Sequence, residues 1–164
     1  MLIGKKFGIK MKNKKNKKAF NFKLSSTSNK VFELSKVKNG LIIYFYPKDN
    51  TPGCTKESCK FRDIYSQFNS LNCDVVGISA DNNDSHKQFT KDFNLNFDLL
   101  SDTDYKISKE FGTFFISEQF GESIKRETYL IDEKGIVIKA WKDINDPENH
   151  PLEVLKFVQS RVKT

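Results

Sequence analysis

Short runs of unbroken apolar residues alternate along this chain with longer stretches in which apolar residues recur every three or four positions. Leu41, Ile42, Ile43, Tyr44, Phe45 and Tyr46 follow one another without a polar break and stop at Pro47, the pattern of a strand covered on both faces in a parallel or mixed sheet. Thr51-Pro52-Gly53 has turn chemistry, and beyond it Cys59, Phe61, Ile64, Tyr65 and Phe68 stand among polar residues at roughly helical spacing. A helix therefore begins at or near Cys54. Residues 74–79 read as a second buried strand. Asp84-Ser85 is expected to cap the next helix, which carries His86, Phe89 and Phe93 along one side. Residues 97–100 give a strand or an extended segment, and 104–111 a short helix. Residues 112–121 read as a loop whose Phe114, Phe115, Ile116 and Phe120 are expected to pack in the core. Residues 128–131 and 136–141 form two strands about the hairpin turn Asp132-Glu133-Lys134-Gly135. Leu152, Leu155, Val158 and Val162 place a final helix over 151–162. Nearer the start, Asn39-Gly40 is a turn before the central strand, and 31–34 is either a strand or the lead into 34–37. Strands alternating with helices, plus one hairpin, predict an α/β fold with a central mixed β-sheet flanked by helices.

Composition adds one asymmetry. The 164 residues suffice for one domain with a proper core, and 37% hydrophobic content fits a globular protein. The formal charge of +7 is not spread evenly: residues 1–30 hold ten lysines and no acid, which leaves 18 basic against 21 acidic residues beyond. Residues 1–18 are expected to be a disordered basic arm, because like charges repel and cannot bury. The arm lacks the apolar run and small-residue cleavage site of a secretory signal, and it has no arginine and little serine, which speaks against a transit peptide. Met11 offers an alternative start. With the charge confined to the arm, no specific nucleic-acid partner is expected. No stretch of about 18 apolar residues is long enough for a membrane span, and there is no internal repeat or Gly-rich phosphate loop.

The candidate chemistry centres on Cys54. The first N–H groups of a helix have no internal partner and its dipole favours negative charge, so a cysteine placed there favours the reactive thiolate. Thr51, three residues earlier, offers a hydroxyl able to donate to the sulfur or a bound oxygen, and to accept from one. Taken alone, these residues read better as a small buried thiol and a helix cap.

The wider pattern decides. Pro47, Thr51 and Cys54 stand in the order P-x-x-x-T-x-x-C directly after an apolar strand, which resembles the active-site signature of the peroxiredoxins. Cys54-Thr55-Lys56-Glu57-Ser58-Cys59, followed by Phe61-Arg62-Asp63, is similar to the Q-type subgroup, the bacterioferritin comigratory proteins. Ile124-Lys125-Arg126-Glu127-Thr128-Tyr129-Leu130-Ile131-Asp132 resembles the family's second arginine-bearing stretch. Ala19-Phe20-Asn21-Phe22-Lys23-Leu24 is similar to the family's opening A-P-x-F-x-L, with Phe20 where the proline stands. The resemblance covers about residues 19–160 and implies a thioredoxin-like domain over 19–164.

By the same resemblance, Cys54 is the cysteine that attacks peroxide and Cys59 the one that resolves it as an intramolecular disulfide. Arg126 holds its guanidinium near the sulfur, Thr51 meets the peroxide, and Pro47 shields the thiolate from water. Without the resemblance, Arg126 would read as a surface charge paired with Glu127 or Asp132. Glu57 and Arg62 recur in the subgroup's pattern, where the resemblance gives them at most a supporting role behind the cysteines; without it they read as helix-surface charges. Phe114, Phe115, Ile116 and Phe120 have a second reading as an apolar rim for bulky peroxides. On a regular helix the Cα atoms of Cys54 and Cys59 lie roughly 8 to 9 Å apart, whereas a disulfide needs about 4.4 to 6.8 Å, so bonding requires the first helical turns to unwind. The implied partners are a peroxide substrate and thioredoxin or glutaredoxin as reductant, with no metal or organic cofactor, in a monomer or weak homodimer. Cys73 has no motif partner and reads as an incidental thiol; His86 and His150 make no metal set with the cysteines. Three cysteines without a secretory signal suit a reducing compartment, the cytoplasm, with organellar import left open. A thioredoxin-like disulfide reductase would need C-x-x-C spacing, which is absent.

Overall fold

The computed structural model describes residues 16–162, so the arm expected over 1–18 lies, up to residue 15, outside the described residues. Among the described residues, nine strands and four α-helices follow in the order β1 (Lys23–Ser26), β2 (Val31–Glu33), β3 (Gly40–Phe45), α1 (Pro52–Ser70), β4 (Cys73–Ser79), α2 (Asn83–Phe93), β5 (Leu99–Ser101), α3 (Lys106–Phe111), β6 (Phe114–Ser117), β7 (Gly121–Ile124), β8 (Glu127–Ile131), β9 (Val137–Trp141) and α4 (His150–Val162). A one-turn 3₁₀ helix, Leu34–Lys36, follows β2.

Seven strands form one mixed sheet in the order β2-β1-β5-β4-β3-β8-β9. β3 pairs in parallel with β4 and antiparallel with β8, which puts the predicted apolar run between two other strongly buried strands. Alternation along β3 divides the core: Ile42, Tyr44 and Tyr46 face the side covered by Phe61, Phe68, Val154 and Leu155 of α1 and α4. Leu41, Ile43 and Phe45 face the side of Ile107 and Phe111 from α3. A strand buried on both faces has to read as a continuous apolar run, and that is why β3 was legible. Gly77 of β4 leaves room for this packing, since a Cβ there would lie 2.7 Å from Tyr44 Cζ and 2.9 Å from Leu99 Cδ2.

Three expectations are corrected. The cap of α2 is Asn82, whose side chain accepts from the Ser85 N–H, rather than Asp84-Ser85. Residues 112–121 are not a plain loop: β6 and β7 pair as an antiparallel hairpin from Phe114↔Ile124 to Ser117↔Gly121. Its tip stands outside the core, with Ile116 65% and Phe120 77% exposed, because a two-stranded ribbon covers only one face. The N-terminal edge is also longer than expected. Asn16 N donates to the Val137 carbonyl and Ala19 N to that of Gly135, so residues 16–19 pair with residues 135–137 at the entry to β9.

Candidate active site

β3 ends at Phe45, and residues 46–51 carry the chain over its C-terminal edge into α1. This crossing is pinned from beneath. The buried Asp49 carboxylate accepts from Tyr46 Oη at 2.6 Å and Ser85 Oγ at 2.8 Å, and its Oδ2 lies 2.7 Å from His86 Nδ1. The Asp49 N–H donates to Asp81 Oδ2 at 2.8 Å. These contacts tie the segment before the cysteine to the start of α2. Asp49, Asp81 and His86 also form a group whose polar atoms lie within 4.8 Å of one another, and the bonds just described occupy it.

Thr51 is the N-cap of α1, with extended backbone (φ −88°, ψ 153°) and with Pro52 at the first helical position, where a missing N–H costs nothing. Its hydroxyl makes no capping bond; it donates to the Lys48 carbonyl at 2.8 Å. The proton is thus directed back into the crossing rather than toward Cys54, and the oxygen keeps lone pairs for an incoming donor. Pro47 stands exposed at the start of the crossing.

Cys54 lies in the first turn of α1 and is fully buried. Arg126, from the link between β7 and β8, places Nη2 3.5 Å from Cys54 Sγ and Nη1 2.7 Å from Glu57 Oε1. One planar guanidinium therefore forks between a thiol and a carboxylate that lie one helical turn apart. Gly53 makes room for it: an added Cβ would come within 3.1 Å of Arg126 Nη2 and 3.4 Å of Pro147 Cγ. Glu57 is buried, and its second oxygen, Oε2, has no hydrogen-bond partner. Burial pushes the Glu57 carboxyl up to about 7, against the opposing charge and hydrogen bond of Arg126. Burial works against the charge on Arg126 as well, but Glu57 and Cys54 outweigh it and raise its pKa.

Cys59 sits on the flank of the same helix, half-buried, with Arg62 Nη1 3.5 Å from its Sγ. Burial raises its pKa, Arg62 opposes that, and Asp63 adds to it. Both cysteines are free thiols within a continuous helix. Cys73, at the start of β4, is buried and pushed up to about 12 by desolvation and by Asp74, the setting of an inert thiol. His150 is buried at the start of α4, where its Nε2 lies 2.8 Å from Thr128 Oγ1; burial lowers its pKa despite Glu153.

The geometry brings Cys54 and Arg126 together, keeps Thr51 at the mouth of the same turn, and puts Cys59 on the neighbouring flank. The Arg126 guanidinium takes Glu57, on the cysteine's own helix, as its carboxylate partner. Of the two readings of Glu57, the surface charge is overturned: the side chain is wholly buried. A signal for it existed. Cys54, Glu57, Ser58, Phe61, Ile64 and Phe68 are the buried positions of α1, spaced by three and four, so Glu57 lies on the apolar stripe.

The chain matches the AhpC/TSA family over residues 16–140. It is 44% identical over 140 residues to a chloroplastic peroxiredoxin Q from Sedum lineare, covering 85% of this chain and 74% of that one. Several other plant relatives are longer, and the chain spans 64–65% of their length. It is 39% identical to a putative peroxiredoxin bcp from Coxiella burnetii, covering 82% of this chain and 91% of that protein. A cysteine-to-serine mutant of PrxQ from Xylella fastidiosa superposes with a TM-score of 0.86 at 30% identity, over 91% of this chain and 97% of that one. With a thioredoxin-like sheet, a cysteine in the first turn of α1 and an arginine set against its sulfur, the chain belongs to the AhpC/TSA family as a Q-type peroxiredoxin, a thiol-dependent peroxidase.

Proposed function

We propose that the chain reduces hydrogen peroxide and organic hydroperoxides through Cys54, resolves the oxidised sulfur with Cys59, and is recycled by thioredoxin or glutaredoxin. The observation that carries this reading is the forked Arg126, held by Glu57 at 2.7 Å and set 3.5 Å from Cys54 Sγ. A peroxide entering beside Thr51 donates its O–H to the threonine oxygen, whose own proton is engaged by Lys48. The Cys54 thiolate attacks the nearer peroxide oxygen; the S–O bond forms as the O–O bond breaks. The departing oxygen leaves as hydroxide or alkoxide and takes a proton to become water or an alcohol. Arg126 favours this step by placing a fixed positive charge where negative charge shifts from sulfur to the departing oxygen. Pro47, at the outer edge, limits water around the sulfur.

Cys54 is left as a sulfenic acid, and the thiolate of Cys59 condenses with it to a disulfide. An external dithiol then reopens the disulfide through a mixed disulfide. The chain's own residues supply the nucleophile, the resolving thiol and the cation, and this sequence of steps calls on no metal or organic cofactor. The thiols need a reducing compartment, which the cytoplasm or an organelle with a thioredoxin system provides. No helix of the described residues is long and apolar enough to cross a membrane. A monomer or weak homodimer suffices, because both cysteines lie on one chain.

Peroxide-dependent NADPH oxidation, coupled through thioredoxin and its reductase, tests the reading, with glutaredoxin in a parallel arm. Cys54→Ser should abolish turnover, while Cys59→Ser should be oxidised once and then recycle poorly. Turnover that survives in Cys54→Ser would remove the assignment.

A further inference from the structure

Cys59 has its own guanidinium. Arg62, one turn further along α1, places Nη1 3.5 Å from Cys59 Sγ, the same distance that separates Arg126 from Cys54. The side chain is held from two directions. Its Nη1 donates to the Phe93 carbonyl at the end of α2 at 2.6 Å, and its Nε and Nη2 converge on Asp63 Oδ1 at 3.0 and 2.8 Å. Its backbone carbonyl accepts from Asn96 Nδ2 at 3.2 Å. Phe93 and Asn96 lie outside α1, so this corner stays anchored when the first turns of α1 unwind to let Cys54 reach Cys59.

We propose that Arg62 is a catalytic residue of the resolving step, a stationary cation that stabilises the Cys59 thiolate while it attacks the sulfenic acid of Cys54. The proposal rests on the reading of Cys59 as the resolving cysteine. In this step the Cys59 thiolate attacks Cys54 sulfur, the S–S bond forms, the S–O bond breaks, and the hydroxide that leaves takes a proton to become water. Peroxide has already supplied the two oxidising equivalents in forming the sulfenic acid. The environment otherwise opposes the Cys59 anion. Burial disfavours the Cys59 anion and Asp63 adds to that, with Arg62 opposing both. The end of α2 and the segment after it present a backbone carbonyl and an amide to this corner. The two cysteines are thereby served by separate arginines, one for attack on peroxide and one for resolution.

The test uses the full chain, reduced and mixed with one equivalent of hydrogen peroxide. Trp141 fluorescence and acid-quenched mass spectrometry follow sulfenic acid and disulfide between pH 5.5 and 9. Arg62→Gln, Arg62→Lys and Cys59→Ser are compared with wild type. Arg62→Gln should form sulfenic acid at the wild-type rate, then form disulfide about tenfold more slowly near neutral pH, with the midpoint of the pH profile moved up by about one unit. Arg62→Lys should return part of that shift. A disulfide rate unchanged in Arg62→Gln would overturn the proposal. So would a rate lowered equally at every pH with its midpoint in place, because that is the signature of a clamp that only holds the helix. An intramolecular disulfide in Cys59→Ser would instead remove the reading of Cys59 beneath it.

Discussion

A carboxylate sealed under an arginine is the residue on which the site turns. Glu57 gives Arg126 a second anchor, so the guanidinium keeps its reach to Cys54, yet burial lifts the Glu57 pKa from 4.5 to about 7. The sign of the resulting pH dependence follows from proton counting. Between these two values the folded protein holds a proton on Glu57 that the unfolded chain has released, so stability falls as pH rises through this range and levels above it. The size of the fall is about 3 kcal/mol. Urea unfolding at pH 5, 6, 7 and 8 should show this decline in wild type and a flattened profile in Glu57→Gln; parallel profiles would place the titrating group elsewhere. Cys54, Thr51, Pro47, Cys59 and Arg126 were singled out as candidates because their order along the chain matches a known signature. Glu57 and Arg62 fall in the same signature, but their contacts were not readable from it, because a charge on a helix is nearly always solvated. The three-and-four spacing of Glu57 with Cys54 and Phe61 points to its burial, and the approach of Phe93 and Asn96 to Arg62 appears only in three dimensions.

At the scale of elements, α1 carries a conflict between its two states. Pro52 to Ser70 is one continuous helix with both thiols free, and regular helical geometry holds the Cα atoms of residues five apart roughly 8 to 9 Å from each other. A disulfide must shorten that separation by unwinding the first turns. Cys54, Glu57 and Ser58, which are buried in those turns, then lose their places, including the Ser58 bond to Tyr44 Oη at 2.8 Å and the fork of Arg126. The reduced protein should therefore protect the amides of residues 55–60 from hydrogen exchange, and the oxidised protein should lose that protection while residues 64–70 keep it. Identical exchange in the two forms would contradict the unwinding. The start of this helix was legible from turn chemistry and apolar spacing. The β6–β7 hairpin was not, because short strands with one exposed face carry too little alternation to separate them from a loop.

Over the whole molecule, the mixed sheet acts as the frame that brings distant segments to one point. β3 delivers Thr51 and Cys54 from its C-terminal end, and β8, its antiparallel neighbour, begins one residue after Arg126. The register Phe45↔Glu127 sets the arginine beside the crossing that leads to the cysteine. The fold class was readable because buried strands leave unbroken apolar runs, while strand order was not, since β1 and β5 are too short to announce their partners. What the frame achieves is a charge held against a sulfur, and the rate of the first chemical step reports it. Stopped-flow mixing of the reduced full chain with hydrogen peroxide, in wild type and Arg126→Gln, is the most direct measurement. Wild-type Cys54 should react orders of magnitude faster than free cysteine, and Arg126→Gln should be slower by about 10²–10³-fold. A wild-type rate no greater than that of free cysteine, or an Arg126→Gln rate equal to wild type, would contradict the account.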